Sequence, residues 1–248
     1  MAKDLFSQQS DVYSKFRPDY PPELFQYILS FVNNRETAWD CATGNGQAAK
    51  VLAEYFQLVE ASDMSSGQLD KAIQKPNIHY TICTAEHTPY NDSSFDLITV
   101  ATAYHWLDHE AFRKEAIRVG KNDSLLAVWG YNLVQFEDDA VNKVIHHLYY
   151  DIVYPYWDPG RRHVEDAYQN VPFNYELLPT KDFYIQLNWT FEQLWGYLQT
   201  WSSVQTYINK NDTSPLELIK DQMKSVWQNN EVKSLRFPLF LKLGRIVK

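Results

Sequence analysis

Trp39-Asp40-Cys41-Ala42-Thr43-Gly44-Asn45-Gly46-Gln47-Ala48-Ala49 is the stretch whose reading decides the fold of this chain. It reads as a short strand, a glycine turn and the start of a helix. Gly44 and Gly46 let the backbone turn tightly and approach a ligand with no side chain in the way. The helix that follows aims its unpaired N–H groups into the same space. Asp40 stands just before the turn, and Asp63 follows about one β-α unit later. That combination suits a small molecule carrying a nucleoside.

Two cofactor classes fit this loop, and a plain tight turn is the bland alternative. Gly44-x-Gly46-x-x-Ala49 satisfies the dinucleotide fingerprint, with Asp63 placed to hydrogen-bond a ribose, so an NAD-dependent oxidoreductase is one reading. Asp40 tilts the choice, because a carboxylate at the strand end repels a pyrophosphate and attracts an ammonium or a sulfonium. S-adenosylmethionine carries both of those cations and no phosphate. The acidic approach to the loop therefore favours the methyl donor, with Asp40 holding its methionine part. Asp63 at the end of the second strand can take both ribose hydroxyls, and Met64 can pack on the adenine face. The structural alternative for Asp63 is a helix N-cap or dipole partner.

Outward from the loop, strand and helix patterns alternate. Prolines in Arg17-Pro18-Asp19-Tyr20-Pro21-Pro22 allow a helix to begin near Pro22, and Leu24, Phe25, Ile28, Leu29 and Val32 keep helical spacing. Strands are predicted at 37–42, 58–62, 78–84, 95–101 and 125–129. Helices are predicted at 46–55, 65–74 (with Ser65 as N-cap) and 109–119. This rhythm is that of a doubly wound parallel sheet. After Trp129 it breaks: residues 138–153 look helical, 154–174 are rich in Tyr, Trp, Pro and Arg, 183–188 and 235–243 read as strands, and two or three helices lie between them.

The glycine loop resembles the first motif of the class I S-adenosylmethionine-dependent methyltransferases, with Ala42 where their G-x-G-x-G form has its first glycine. Alanine there is expected to avoid a positive φ unless strain is accepted. Within the family the chain is most similar to the small-molecule branch that includes trans-aconitate methyltransferase-like proteins. The likeness is strongest over about 13–131 and is carried also by Tyr13-Ser14-Lys15-Phe16-Arg17-Pro18-Asp19-Tyr20-Pro21, Tyr156-Trp157-Asp158-Pro159-Gly160-Arg161-Arg162 and Tyr197-Leu198-Gln199-Thr200-Trp201-Ser202-Ser203. It implies an α/β Rossmann-like domain with a mostly parallel seven-stranded sheet, helices on both faces, an inserted helical cap, and a last strand antiparallel beside the sixth. Residues 1–248 would form one domain, with an N-terminal lid over 1–21 and cap insertions at about 131–180 and 190–230.

The same resemblance places Ala85 and Glu86 beside the adenine, although an isolated Glu is usually a solvated charge. The segment Ala101-Thr102-Ala103-Tyr104-His105-Trp106 would run under the methyl group, with Trp106 toward the acceptor. His105 is then either a base or a hydrogen-bond donor that positions. Tyr13 and Arg17 in the lid could contact the cofactor carboxylate or an acidic substrate; a surface arm anchored by aromatics is the alternative. Arginine clamps a carboxylate with two parallel hydrogen bonds, which makes Arg161 the first choice for an acidic acceptor and Arg162 the fallback. Trp129, Tyr131 and Trp201 are pocket walls or core. The activity implied is in-line methyl transfer to a small molecule, a carboxylate oxygen first, or else a hydroxyl, amine or carbon. A non-catalytic cofactor-binding protein is the remaining alternative.

Composition narrows the field further. At 248 residues the chain suits one α/β domain with insertions, and its net charge of −8 argues against a nucleic-acid footprint. Cys41 and Cys83 both fall in predicted buried strands and read as small core residues. No leader or membrane-spanning stretch is visible, so a cytoplasmic monomer or homodimer is expected. His146 and His147 are adjacent on a predicted helix and make a poor metal pair. No C-x-x-C, H-E-x-x-H or G-x-S-x-G occurs, so no metal is expected.

Overall fold

The computed structural model describes residues 16–228 and 230–248. Its frame is a nine-stranded sheet. Strands β1 (Thr37–Cys41), β2 (Leu58–Asp63), β3 (Ile78–Ile82), β4 (Phe95–Ala101) and β5 (Gly120–Tyr131) are parallel, in the order β3-β2-β1-β4-β5. The expected seven strands are present, and two two-residue strands, β6 (Gln135–Phe136) and β7 (Glu176–Leu177), add to them. The last strand, β9 (Val232–Ile246), runs antiparallel between β5 and β8 (Phe183–Thr190), as the resemblance implies.

Strand order reverses between β1 and β4, and this is where an open α/β sheet offers its crevice. Residues alternate between two cores. Ala38, Leu97, Ala127 and Trp129 face one, whereas Trp39, Cys41, Ile98, Val100 and Val128 face the other. With both faces covered, β4 is apolar nearly throughout, as a central parallel strand must be.

Helix α1 (Pro22–Leu29) starts on Pro22, whose missing N–H costs nothing in the first turn, and buries Leu24, Phe25, Ile28 and Leu29. Helix α2 (Gln47–Leu52) follows the glycine loop. Helix α3 is confined to Ser66–Leu69 and is much shorter than the predicted 65–74. Ser65 caps it as expected, by accepting from the Gln68 N–H. It stops early because the Ile73 N–H is captured by the Asn45 carbonyl of the glycine loop at 3.1 Å. Strand β3 likewise ends at Ile82, so Cys83 is a half-exposed loop residue and not a core one.

Helix α4 (His109–Val119) matches its prediction, capped by Asp108. Beyond β5 come α5 (Asp139–His146), which passes into a π-helical turn over His147–Ile152, and α6 (Arg161–Glu165). Helices α7 (Phe191–Gln199), α8 (Ser202–Asn211) and α9 (Lys220–Val226) follow β8. Contact between α6 and the 3-10 turn Tyr104–Trp106 brings the later insertion to the end of β4. No helix among the described residues is long and apolar enough to cross a membrane.

Candidate active site

The loop after β1 is organised by Asp40. Its carboxylate is fully buried and accepts from Thr43 Oγ1, from the Ala49 N–H at 3.1 Å and from Thr99 Oγ1 at 2.8 Å. Thr99 is available because β4 pairs with β1 in a register that sets it opposite Asp40. Burial pushes the Asp40 carboxyl up to about 6, against the pull of those three hydrogen bonds. Asp40 therefore does not line the cavity described below: its oxygens are spent on holding the turn.

Three loop residues take left-handed backbone: Ala42 (φ 53°), Gly44 (φ 57°) and Gly46 (φ 82°). Alanine thus accepts the strain that its place in the motif was expected to avoid, because Asp40, Thr43 and the Thr43 N–H bond to the Ser62 carbonyl fix the turn around it. The two glycines do different work. A Cβ on Gly44 would meet nothing nearer than Gln68 Oε1 at 3.9 Å, so its face is open to a ligand. Gly46 instead admits the Tyr80 hydroxyl, which donates to the Ile73 carbonyl at 2.6 Å, and it does not border the cavity.

A cavity of about 700 Å³ opens beyond the carboxyl ends of β1, β2 and β4. Ala42, Gly44, Asp63, Met64, Ala85, Glu86, Ala101, His105, Trp106 and Tyr131 all border it, as does Tyr20 from the segment before α1. The Asp63 oxygens accept from the Gly44 N–H and the Ser65 N–H, both at 2.9 Å, which clamps the glycine loop to the β2 end. Glu86 accepts from the Asp108 N–H at 3.0 Å. Among the described lining residues Asp63, Glu86 and Asp158 are carboxylates, and none is Lys or Arg. An acidic wall of that kind fits a ligand bearing a sulfonium and an ammonium, and fits a pyrophosphate poorly.

A small recess of about 60 Å³ adjoins it, sharing Thr102, His105, Trp106, Tyr131 and Asp158. Here positive charge outweighs the Asp158 carboxylate, because both Arg17 and Arg161 border the recess, together with Trp157, Tyr197 and Trp201. Arg17 donates to the Tyr131 hydroxyl at 2.7 Å and lies over the Tyr197 ring at 5.4 Å. Arg161 donates through Nε to the Tyr149 hydroxyl at 3.1 Å and sits 5.0 Å above Trp157. Arg162 is exposed and does not border the recess. Trp129 is excluded from both cavities: it is wholly buried against Tyr20 and Phe25, edge to face. Tyr13 lies outside the described residues.

His105 borders both cavities. Its Nδ1 meets the Tyr168 hydroxyl at 2.9 Å. Burial, and then the Arg161 guanidinium and the neighbouring imidazoles of His163 and His109, lowers its pKa to about 3, so the ring is neutral near pH 7. Neighbouring Thr102 also takes a left-handed backbone, φ 57°, which is unusual for a β-branched residue, and its hydroxyl pairs with Tyr20 at 3.0 Å. The wall contributed by Thr43, Gln68, Thr102, Asp158, Gly160 and His163 was not anticipated. Thr43, Thr102, Asp158 and Gly160 stood in segments already singled out, though not chosen themselves; nothing in the local pattern marks Gln68 or His163.

The methyltransferase domain family matches residues 39–128, which span the strands and loops of this site. A protein of Dictyostelium discoideum named as a methyltransferase is 30% identical over 249 residues, covering 98% of this chain and 95% of its own. A Saccharomyces cerevisiae protein named as an S-adenosylmethionine-dependent methyltransferase is 28% identical over 145 residues, covering 54% of this chain and 50% of its own. The solved structure of a protein from Anaeromyxobacter dehalogenans described as a type II methyltransferase is also similar. It superposes with a TM-score of 0.86 at 32% identity, over 94% of this chain and 99% of that one. With its glycine loop, its sheet order and this full-length likeness, the chain belongs to the class I S-adenosylmethionine-dependent methyltransferases, and S-adenosylmethionine is its methyl donor.

Proposed function

We propose that the enzyme methylates a carboxylate oxygen of a small organic acid. One observation carries this reading: the wall of the large cavity is acidic, whereas the recess continuous with it is lined by Arg17 and Arg161. A cationic donor belongs against the first and an anionic acceptor against the second. In this reading Gly44 and Asp63 hold the donor's amino-acid and ribose parts, and Met64, Ala85 and Glu86 border its adenine. The donor supplies a methyl group already activated by the sulfonium charge; the acceptor oxygen bonds to the methyl carbon as the C–S bond breaks, leaving a methyl ester and S-adenosylhomocysteine.

A carboxylate needs no base, so the protein's work is alignment and exclusion of water. The guanidinium of Arg161 can take one carboxylate oxygen pair while Trp157 and Trp201 fill the space around it. Arg17 and Tyr20 reach the cavities from ahead of α1, in keeping with a lid role for this segment, and residues 1–15 of the expected lid lie outside the described residues. The insertions at about 131–180 and 190–230 supply the acceptor wall within a single domain. An alcohol or amine acceptor would call for proton removal, and a histidine held near 3 is poorly matched to that task. This acceptor preference agrees with the proposed likeness to the branch that includes trans-aconitate methyltransferase-like proteins.

Matched acceptors test the reading. Small carboxylic acids should be methylated, and their amides and alcohols should not. Turnover of the alcohols or amides with the acids inert would overturn it.

A further inference from the structure

Tyr168 is wholly buried, and its ring lies between Tyr104, at 5.7 Å between centroids, and Phe240 at 4.9 Å. It reaches this place through strained backbone: Ala167 and Tyr168 are consecutive left-handed residues, φ 54° and 59°, just after α6. Neither is glycine, so the surroundings must hold them there. What the strained turn delivers is one hydroxyl, 2.9 Å from Nδ1 of His105.

The direction of that hydrogen bond follows from what else the hydroxyl can reach. Among the described residues the Tyr168 hydroxyl meets no hydrogen-bond acceptor but Nδ1 of His105. Were Nδ1 protonated, the phenolic proton would be left buried and unpaired, so the hydroxyl gives its proton to Nδ1. We infer that Tyr168 is a positioning residue: it donates to Nδ1 of His105, holds the imidazole in its Nε2–H form, and so makes His105 a hydrogen-bond donor to the acceptor anion, not a base.

The surroundings agree. Arg161, His163 and His109 are the charged or titratable groups that bear on the ring, and all three oppose its protonation. His109 is itself engaged, because its Nε2 faces the Tyr104 carbonyl at 3.0 Å and must donate to it. Gly160 packs against the same turn: a Cβ there would stand 3.0 Å from the His105 carbonyl oxygen and 3.7 Å from Cδ2, so a side chain at 160 would press on the segment that carries the ring. Its remaining nitrogen, Nε2, is the one left to the cavities that His105 borders.

The inference rests on the carboxylate reading only for what the donor meets, and the tautomer can be read with no acceptor present. In protein carrying 15N-histidine and bound S-adenosylhomocysteine, assigned with His105→Gln, His105 should show Nε2 protonated and Nδ1 bare across about pH 6 to 8. Tyr168→Phe should mix the tautomers and lower kcat by about tenfold while leaving S-adenosylhomocysteine affinity intact. His105→Gln, which keeps an N–H near the Nε2 position, should retain most of the activity that His105→Asn loses. An Nδ1–H tautomer in the wild-type protein, or unchanged tautomers in Tyr168→Phe, would overturn the inference. So would equal losses of about 10²-fold or more in His105→Gln and His105→Asn. A methylated product that is not an ester would instead refute the carboxylate reading while leaving the tautomer standing.

Discussion

Replacing Asp40 with asparagine deletes one buried charge while leaving its hydrogen bonds formable. The amide oxygen can take the place of Oδ2, which receives Thr43 Oγ1 and the Ala49 N–H. The amide nitrogen then donates to Thr99 Oγ1, whose proton turns to the Trp39 carbonyl 3.4 Å away. The native carboxyl is raised from 3.8 to about 6, and at about 1.4 kcal/mol per pK unit its ionisation costs folding about 3 kcal/mol at neutral pH. The sign follows from the proton count: between 3.8 and about 6 the folded state holds a proton that the unfolded state lacks, so the wild-type protein gains stability as pH falls through that window. The amide of the Asp40→Asn variant mimics the protonated carboxyl. Allowing about 1 kcal/mol for an imperfectly paired amide, the variant should be about 2 kcal/mol more stable at neutral pH. For a chain of this length that is a rise in Tm of roughly 4–8 °C. Urea unfolding of both proteins at neutral pH and near pH 5 isolates Asp40 from the other carboxylates, because only the difference between the proteins is read. The gap should narrow as pH falls. A variant less stable at neutral pH, or a gap that ignores pH, would refute the reasoning.

Arg161→Gln should raise the KM of the acceptor by about ten- to a hundredfold through loss of a charge-assisted hydrogen bond, with kcat nearly kept; Arg162→Gln, on the exposed side of α6, should behave as wild type in the same steady-state assay. Asp63→Ala should weaken S-adenosylhomocysteine binding by about tenfold or more in calorimetry, since it removes the proposed ribose contact and also frees the Gly44 and Ser65 amides. Ala42→Gly should relieve the left-handed strain, which costs about 1–2 kcal/mol, at a smaller loss in chain entropy, so denaturant unfolding should show a net gain of about 0.5–1 kcal/mol.

The parallel half of the sheet was legible because β4 and the 125–129 part of β5 are nearly continuous apolar runs, and short apolar-rich segments between turn residues mark β1, β2 and β3. Helix α3 was overestimated for a reason no local pattern holds: the Ile73 amide is taken by Asn45, across the glycine loop. Asp40 shows the limit for side chains. Its charge was read correctly as part of the loop, but the register that brings Thr99 opposite it, and so turns the carboxylate inward, is a property of two paired strands. Trp129 was open between wall and core, and burial against Tyr20 and Phe25 decides for core. Arg161 and Arg162 are neighbours in sequence, and only the path of α6 separates the one at the recess from the one in solvent. Tyr168 carried no signal at all, since its role depends on two left-handed residues that sequence does not announce.

The chemistry of the bond formed tests the account most directly. The protein, given a donor with a radiolabelled methyl group and a metabolite extract, should yield a labelled product that mild alkali converts to volatile methanol, as a methyl ester must. Label that stays bound through alkali would mean an ether, amine or carbon acceptor, and would contradict the assignment of Arg17 and Arg161 to a carboxylate.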